Sequence, residues 1–161
     1  MFDERRRSSA YWHNRSSDLL ISARTLSKAM AESNGLELNC WAPYKMLIGM
    51  SFELLFKCHC VENGITFRPT LDLVQLAGTA NLPISAHEID ILKTLSAFIV
   101  WDGRYPIPKT VNLFEEHWKH QSKSSQGDEL DFDKLLPIWR RFSDLYLEVC
   151  ATSSPHVRGA A

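Results

Sequence analysis

Leu19, Ala23, Leu26 and Met30 fall at i, i+4, i+7 and i+11, the spacing that lines one face of an α-helix. Ser16 or Ser17 is placed to cap that helix, Asp18 lies in its first turn, and Asn34-Gly35 ends it. A second helix is predicted from near Trp41 to Asn63-Gly64, with Pro43 in its first turn. Its apolar positions, Met46, Leu47, Met50, Leu54, Leu55, Cys58 and Val61, cover more than one stripe and make it central. A short helix follows Pro69-Thr70 and carries Leu73, Leu76 and Ala77. Ser85-Ala86-His87-Glu88 reads as a capping box ahead of the stripe Ile89, Leu92, Leu95 and Ile99, with the helix closing near Trp101. Asp102-Gly103 and Pro106 and Pro108 impose an irregular turn. Thr110 to Lys123 is a fifth helix, expected to bury Val111, Phe114 and Trp118. A polar loop spans 122–128. Asp131 or Asp133 then caps a last helix that packs Leu135, Trp139, Phe142, Leu145, Tyr146 and Val149 inward, with Pro137 in its first turn or at a kink. No alternating strand pattern and no internal repeat interrupts this series.

The pattern predicts an all-α bundle of five to six helices in one domain over 16–150, preceded by a flexible arm (1–15) and followed by a disordered tail (151–161). A chain of 161 residues, 45% hydrophobic and 23% charged, is long enough for one core. Eighteen Lys+Arg against nineteen Asp+Glu leave a net charge of −1, so any nucleic-acid contact has to be local rather than spread over the surface. The cysteines at 40, 58, 60 and 150 form no C-x-x-C pair. Met-Phe-Asp-Glu-Arg-Arg-Arg has no apolar signal core, and no apolar run approaches a membrane span. A soluble cytoplasmic protein with reduced thiols is expected.

The strongest candidate chemistry pairs Glu53 and Lys57, one helical turn apart, with Asp102-Gly103-Arg104-Tyr105-Pro106. Their face lies beside Met50 and Leu54, so at least one charge is expected to be partly buried and to require a partner. Arg104, at the end of a neighbouring helix, is the expected partner of Glu53. The pair is read either as a structural brace or as the support of an arginine that binds phosphate.

Phe52-Glu53-Leu54-Leu55-Phe56-Lys57, then Gly64, Thr70-Leu71-Asp72-Leu73 and Arg104-Tyr105-Pro106, resemble in order and spacing the HEPN superfamily. Its members carry E-x-x-x-K on the second helix, a "T-H-D-L"-type entry to the third and often R-Y-P after the fourth. The likeness runs from Ser17 to Lys109. It implies an up-and-down, homodimeric bundle working in prokaryotic defence or toxin–antitoxin systems, with RNA, a nucleotide, an antitoxin or another protein as partner. Many members are metal-independent ribonucleases with an R-x(4-6)-H motif, in which Arg holds phosphate and His performs acid–base chemistry. Here the first histidine after Arg104 is His117, outside that spacing, and Leu71 replaces the histidine of "T-H-D-L". The R-Y-P branch commonly lacks the catalytic histidine and is linked to RNA or nucleotide binding and to scaffolding.

The resemblance therefore implies binding by Arg104 and Lys57, with Glu53 orienting Arg104 and with Asp102 and Tyr105 alongside. Arg104, His13 and His117 stand as candidates for an active endoribonuclease. Arg7 and Arg6 precede His13 by five and six intervening residues, but that string lies ahead of the first predicted helix. A purely structural or dimerising module is the third reading.

His117 and His120, with Glu116, have the spacing of a metal pair but read better as a solvated face beside Lys119 and Lys123. No Glu-x-x-His, GxGxxG, Walker A or HExxH motif occurs, so no metal or cofactor is expected. His87 belongs to the capping box, and His59 reads as a satisfied core or interface side chain. Neither Cys40 nor Cys150 has an activating base beside it in the sequence. Trp12, Trp41 and Trp118 are candidate partner-facing aromatics.

Overall fold

The computed structural model describes residues 2–124 and 129–153. All regular secondary structure among the described residues is helical: α1 (Phe2–Arg7), α2 (Ser9–Glu32), α3 (Leu36–Glu62), α4 (Leu73–Thr79), α5 (Ala86–Ala97), α6 (Val111–Ser124) and α7 (Phe132–Ser153), with a π-helical turn (Phe98–Asp102) continuing α5. The expected tail over 151–161 lies largely outside the described residues, though α7 runs through its first three.

Six of the seven helices match the predicted series, and the additional one is α1. Residues 1–15 were expected as a flexible arm. Instead α2 starts at Ser9, and Ser16, expected as a cap, is fully buried in mid-helix. Ser16 Oγ donates to the Ser51 carbonyl (2.7 Å) and Ser51 Oγ donates to the Ser16 carbonyl (2.8 Å). Trp139 Nε1 donates to the same Ser16 Oγ at 3.2 Å. Two small side chains thus let α2 and α3 approach closely, while their hydroxyls replace water for the backbone. This inward face is made of Ser9, His13 and Ser16, which carry no hydrophobic signal, so the periodicity begins only at Leu19.

The turn between α2 and α3 uses Gly35 at φ +90°, and Gly64 at φ +64° ends α3, as the Asn-Gly pairs predict. Neither helix-interior proline lies in the first turn: Pro43 is the eighth residue of α3 and Pro137 the sixth of α7, and the carbonyl each leaves without an N–H partner belongs to an exposed residue, Asn39 and Asp133 respectively. The Ser85–Glu88 capping box is complete: Ser85 Oγ accepts from the Glu88 N–H (3.2 Å), and the Ser85 N–H donates to Glu88 Oε2 (2.8 Å). Arg141 from α7 reaches the same carboxylate at 2.9 Å. Burial raises the Glu88 pKa, but the bonds from Ser85 and Arg141 outweigh it and hold the group below the usual carboxylate value.

The core centres on α3, whose Tyr44, Ile48, Phe52, Leu55, Phe56 and Cys60 are fully buried against α4, α5 and α7. Tyr44 Oη donates to the Leu130 carbonyl (2.7 Å) and so fixes the entry to α7. The expected burial of Val111, Phe114 and Trp118 fails: they are 71%, 43% and 52% exposed. Helix α6 packs chiefly on α5, and most of its apolar stripe faces outward. No helix among the described residues is long and apolar enough to cross a membrane.

Candidate functional site

Glu53 and Lys57 form an ion pair across one turn of α3, Glu53 buried and Lys57 half-buried. The proposed meeting of Glu53 with Arg104 does not occur. Leu95 and Ile99 cross α3 at Gly49, where a Cβ would lie 2.9 Å from Ile99 Cγ1. Gly103 passes Met46 so closely that a Cβ there would lie 2.7 Å from Met46 Cβ. The chain is therefore moving toward the N-terminus of α3, whereas Glu53 lies seven residues the other way, about 10 Å along the axis. Exposed Arg104 instead donates through Nη2 to the carbonyls of Ile99 (2.7 Å) and Val100 (3.0 Å), with its guanidinium 5.7 Å from the Tyr105 ring centre. It closes the end of the π-helical turn. The expected set is split, with Glu53 and Lys57 on one side and Asp102, Arg104 and Tyr105 on the other. Thr70 and Asp72 of the "T-H-D-L"-like entry have a local role as well: Asp72 caps α4 by accepting from Val74 N and Gln75 N, both at 3.0 Å.

Asp102 belongs to a feature that hydrophobic patterning does not reveal. Lys45, 2% exposed, holds its ammonium 4.3 Å from the Trp41 ring centre and 4.4 Å from that of Phe98. Burial lowers its pKa to about 8, opposed by the charge of Asp102. Two π faces partly replace its hydration. The only sequence trace is Trp41 four residues before a lysine on an otherwise apolar face.

Cationic and aromatic side chains converge at the other end of α3. Arg5, Arg6 and Arg7 complete α1, where positive charge suits the negative end of the helix dipole. Ser8 breaks the helix with an extended backbone, and α2 then carries Trp12. Trp12 Nε1 donates to the Arg6 carbonyl (3.2 Å), and its ring meets Phe67 edge-on at 6.2 Å. Phe67 lies in the non-helical segment after Gly64, and Lys57 Nζ is 5.9 Å from its ring centre. Together the three arginines, Trp12, Val61, Ile65, Thr66, Phe67 and Pro69 line an open cleft of about 960 Å³. Guanidinium groups bind phosphate oxygens in bidentate fashion, and aromatic faces accept stacked bases. Of the expected binding residues, Lys57 adjoins this cleft and Glu53 anchors Lys57. The sequence signal is the run Arg-Arg-Arg followed by Trp12, which lies within the segment expected as a flexible arm.

His13, one residue beyond Trp12, is rotated by about 100° around α2 and points into the bundle. Its Nε2 lies 2.8 Å from Ser143 Oγ, and its ring stacks on Tyr146 at 4.9 Å. His59 Nε2 donates to the Phe142 carbonyl (2.8 Å), the satisfied core role expected of it. Ser9 donates to Glu62 and lies 3.0 Å from Tyr146 Oη. The polar seam thus ties α2 and α3 to α7. Burial lowers the pKa of both histidines, and for His13 the charge of His59 adds to the effect. The Arg6/Arg7–His13 string therefore divides, with the arginines at the cleft and the imidazole in the seam. The side chain of His117 lies outside the described residues, as does that of His120. No group of three or more metal-ligating side chains occurs among the described residues.

No family model, curated protein or solved structure matches the chain.

Proposed function

We propose that this protein binds single-stranded RNA in the cleft formed by Arg5, Arg6, Arg7, Trp12 and Phe67, as a binding domain rather than a nuclease. One observation carries the reading: three arginines and two aromatic residues line the same open cleft. Backbone phosphates would contact the arginines, one or two bases would stack on Trp12 and Phe67, and Lys57, held by Glu53, would supply a fourth positive charge. The near-neutral net charge is compatible with this, because the proposed contact is local and uses three consecutive arginines. The choice of RNA over other polyanions rests on the HEPN-like motifs. From the same resemblance the proposal takes a cytoplasmic, prokaryotic defence or toxin–antitoxin setting, with an antitoxin or other protein as a further partner and a homodimeric state. His13 lends no weight to the endoribonuclease alternative, since its imidazole is engaged with Ser143 and Tyr146.

Anisotropy titrations with a labelled unstructured RNA test the proposal. About three phosphate contacts would give a slope of log K against log salt near −2. Trp12→Ala would weaken binding by ~1–3 kcal/mol, the range for losing a stacked base. RNA incubated with the protein in EDTA stays intact on this reading. Equal affinity of the wild type and an Arg6→Gln/Arg7→Gln variant would refute it.

A further inference from the structure

A second cavity opens beside α5 and shares no residue with the arginine cleft. Lys93, Ala97 and Val100 recur at i, i+4 and i+7 along α5 and its π-helical continuation, one face of a helix, and all three line a cavity of about 390 Å³. Leu71 and Asp72 close it from the entry to α4, and Leu113 from α6. A bond between elements holds these walls together. Ser96 Oγ donates to the Leu92 carbonyl (2.7 Å) and accepts from the Leu73 N–H (3.0 Å). Asp72, the residue before Leu73, is thereby set beside the turn of α5 that carries Lys93 and Ser96. The volume falls at the low end of the roughly 300–1,000 Å³ of small-molecule sites, room for a small metabolite.

The lining joins two chemistries. Leu71, Ala97, Val100 and Leu113 form an apolar wall, of which Val100 and Leu113 are each 38% exposed. Lys93 and Asp72 bring opposite charges to the same cavity without meeting. Among the described residues Lys93 forms no ion pair or hydrogen bond, and Asp72 uses Oδ1 for the N–H groups of Val74 and Gln75 while Oδ2 is left unbonded. A ligand that carries an anion and a cation close together satisfies both. An α-amino acid does so, its carboxylate toward the Lys93 ammonium and its ammonium toward Asp72 Oδ2. Its side chain then lies along the apolar wall, which continues from Lys93 to Val100 for about 10 Å. Glu116 also borders the cavity, so two carboxylates face one ammonium and a plain carboxylic acid would meet net like charge. A plain amine would leave Lys93 unmatched and set a like charge beside it.

We infer that this cavity binds a free α-amino acid with a large aliphatic side chain, gripped by Lys93 at its carboxylate and by Asp72 at its ammonium. The site goes beyond the RNA reading and does not rest on it. Two charge-assisted contacts at an open rim and a partial apolar wall give a modest affinity, with Kd on the order of a millimolar.

Titration of the isotopically labelled full chain with L-leucine, followed by amide NMR, tests this. The expected result is saturable movement of the Leu71, Ser96 and Ala97 amides with L-leucine and none with glycine, which lacks the apolar part. Leucinamide has no carboxylate and isocaproate no ammonium, and each should bind about ten- to a hundredfold more weakly than leucine. Lys93→Gln and Asp72→Asn remove one charge each with little change of shape, and Asn caps a helix as well as Asp does. Circular dichroism checks that both variants keep their helix content. Lys93→Gln should bind leucine no better than the wild type binds leucinamide, and Asp72→Asn no better than the wild type binds isocaproate. A merely structural role of either residue would not produce that matching of variant to analogue. Amides unmoved by L-leucine overturn the inference, as does either analogue or glycine binding as tightly as leucine, or either variant keeping wild-type affinity for leucine. RNA affinity measured on the same variants should equal that of the wild type, because the arginine cleft uses other residues. A joint loss of leucine and RNA binding would trace both to the fold and overturn the separate site.

Discussion

Between the rings of Trp41 and Phe98, the Lys45 ammonium has exchanged water for two π faces, and its proton is held less tightly than in the unfolded chain. With a folded pKa of about 8 and an ordinary value of 10.5, the unfolded state binds more protons between those limits. The penalty of burying the charge is therefore fully present below pH 8 and is relieved as pH rises toward 10.5. Cys58 acts in the opposite direction, since burial pushes its thiol up to about 12 and stability is lost as the unfolded thiol ionises above pH 9. The Lys45 contribution is best isolated by difference. From urea midpoints at pH 7.5 and 10, the wild type should gain on Lys45→Met by on the order of 2 kcal/mol. Parallel pH profiles would show that the amine is not perturbed. Lys45 illustrates what a sequence conceals at this scale. Charge on an apolar helix face was visible at Glu53 and Lys57, and those two do pair. That Lys45 lies deeper depends on where Phe98 arrives from a distant element. Arg104 shows the same limit: its partner is decided by the direction in which the chain passes Gly49 and Met46.

Helices declare themselves through their caps and stripes, and most boundaries here were readable for that reason. Ser85–Glu88, Gly35 and Gly64 act as their chemistry requires. The early start of α2 was not readable because its inward face is serine and histidine, stabilised by reciprocal hydrogen bonds that need α3 and α7 in place. Two outcomes follow at this scale. The histidines of the α2–α3–α7 seam have folded pKa values below the ordinary 6.5, so the unfolded state binds more protons as pH falls past that value. Stability should then drop between pH 7 and 5.5, and His13→Gln/His59→Gln should flatten that drop in denaturant titrations. An undiminished drop in the double variant would assign it to other groups. At the crossing of α3 with α5, Gly49→Ala would bring a Cβ within 3.2 Å of the Leu95 carbonyl and nearer still to Ile99. A loss of ~1–3 kcal/mol is expected in thermal or urea unfolding, the usual cost of overpacking. Arg104→Ala, by contrast, removes only bonds to two carbonyls at the end of the π-helical turn and should cost about 1 kcal/mol.

Across the whole molecule, the all-helical bundle was legible because six amphipathic or apolar segments are separated by Gly, Pro and Asn turns. The distribution of charge was not. A net charge of −1 gives no hint that three arginines converge with Trp12 and Phe67 at one end of α3. Nor does periodicity reveal that α6, patterned for burial, lies at the surface. The account proposes RNA contact at one end of α3, with the Glu53–Lys57 pair in support. Its central claim is that the cleft holds RNA by combined phosphate and stacking contacts. Intrinsic fluorescence of a variant in which Trp41, Trp101, Trp118 and Trp139 are replaced by Phe leaves Trp12 as the sole reporter. Titration with an unstructured RNA should quench and saturate that signal, with an apparent Kd that rises steeply as salt increases. A signal unmoved by RNA at low salt, in a protein whose helix content matches the wild type, would contradict it.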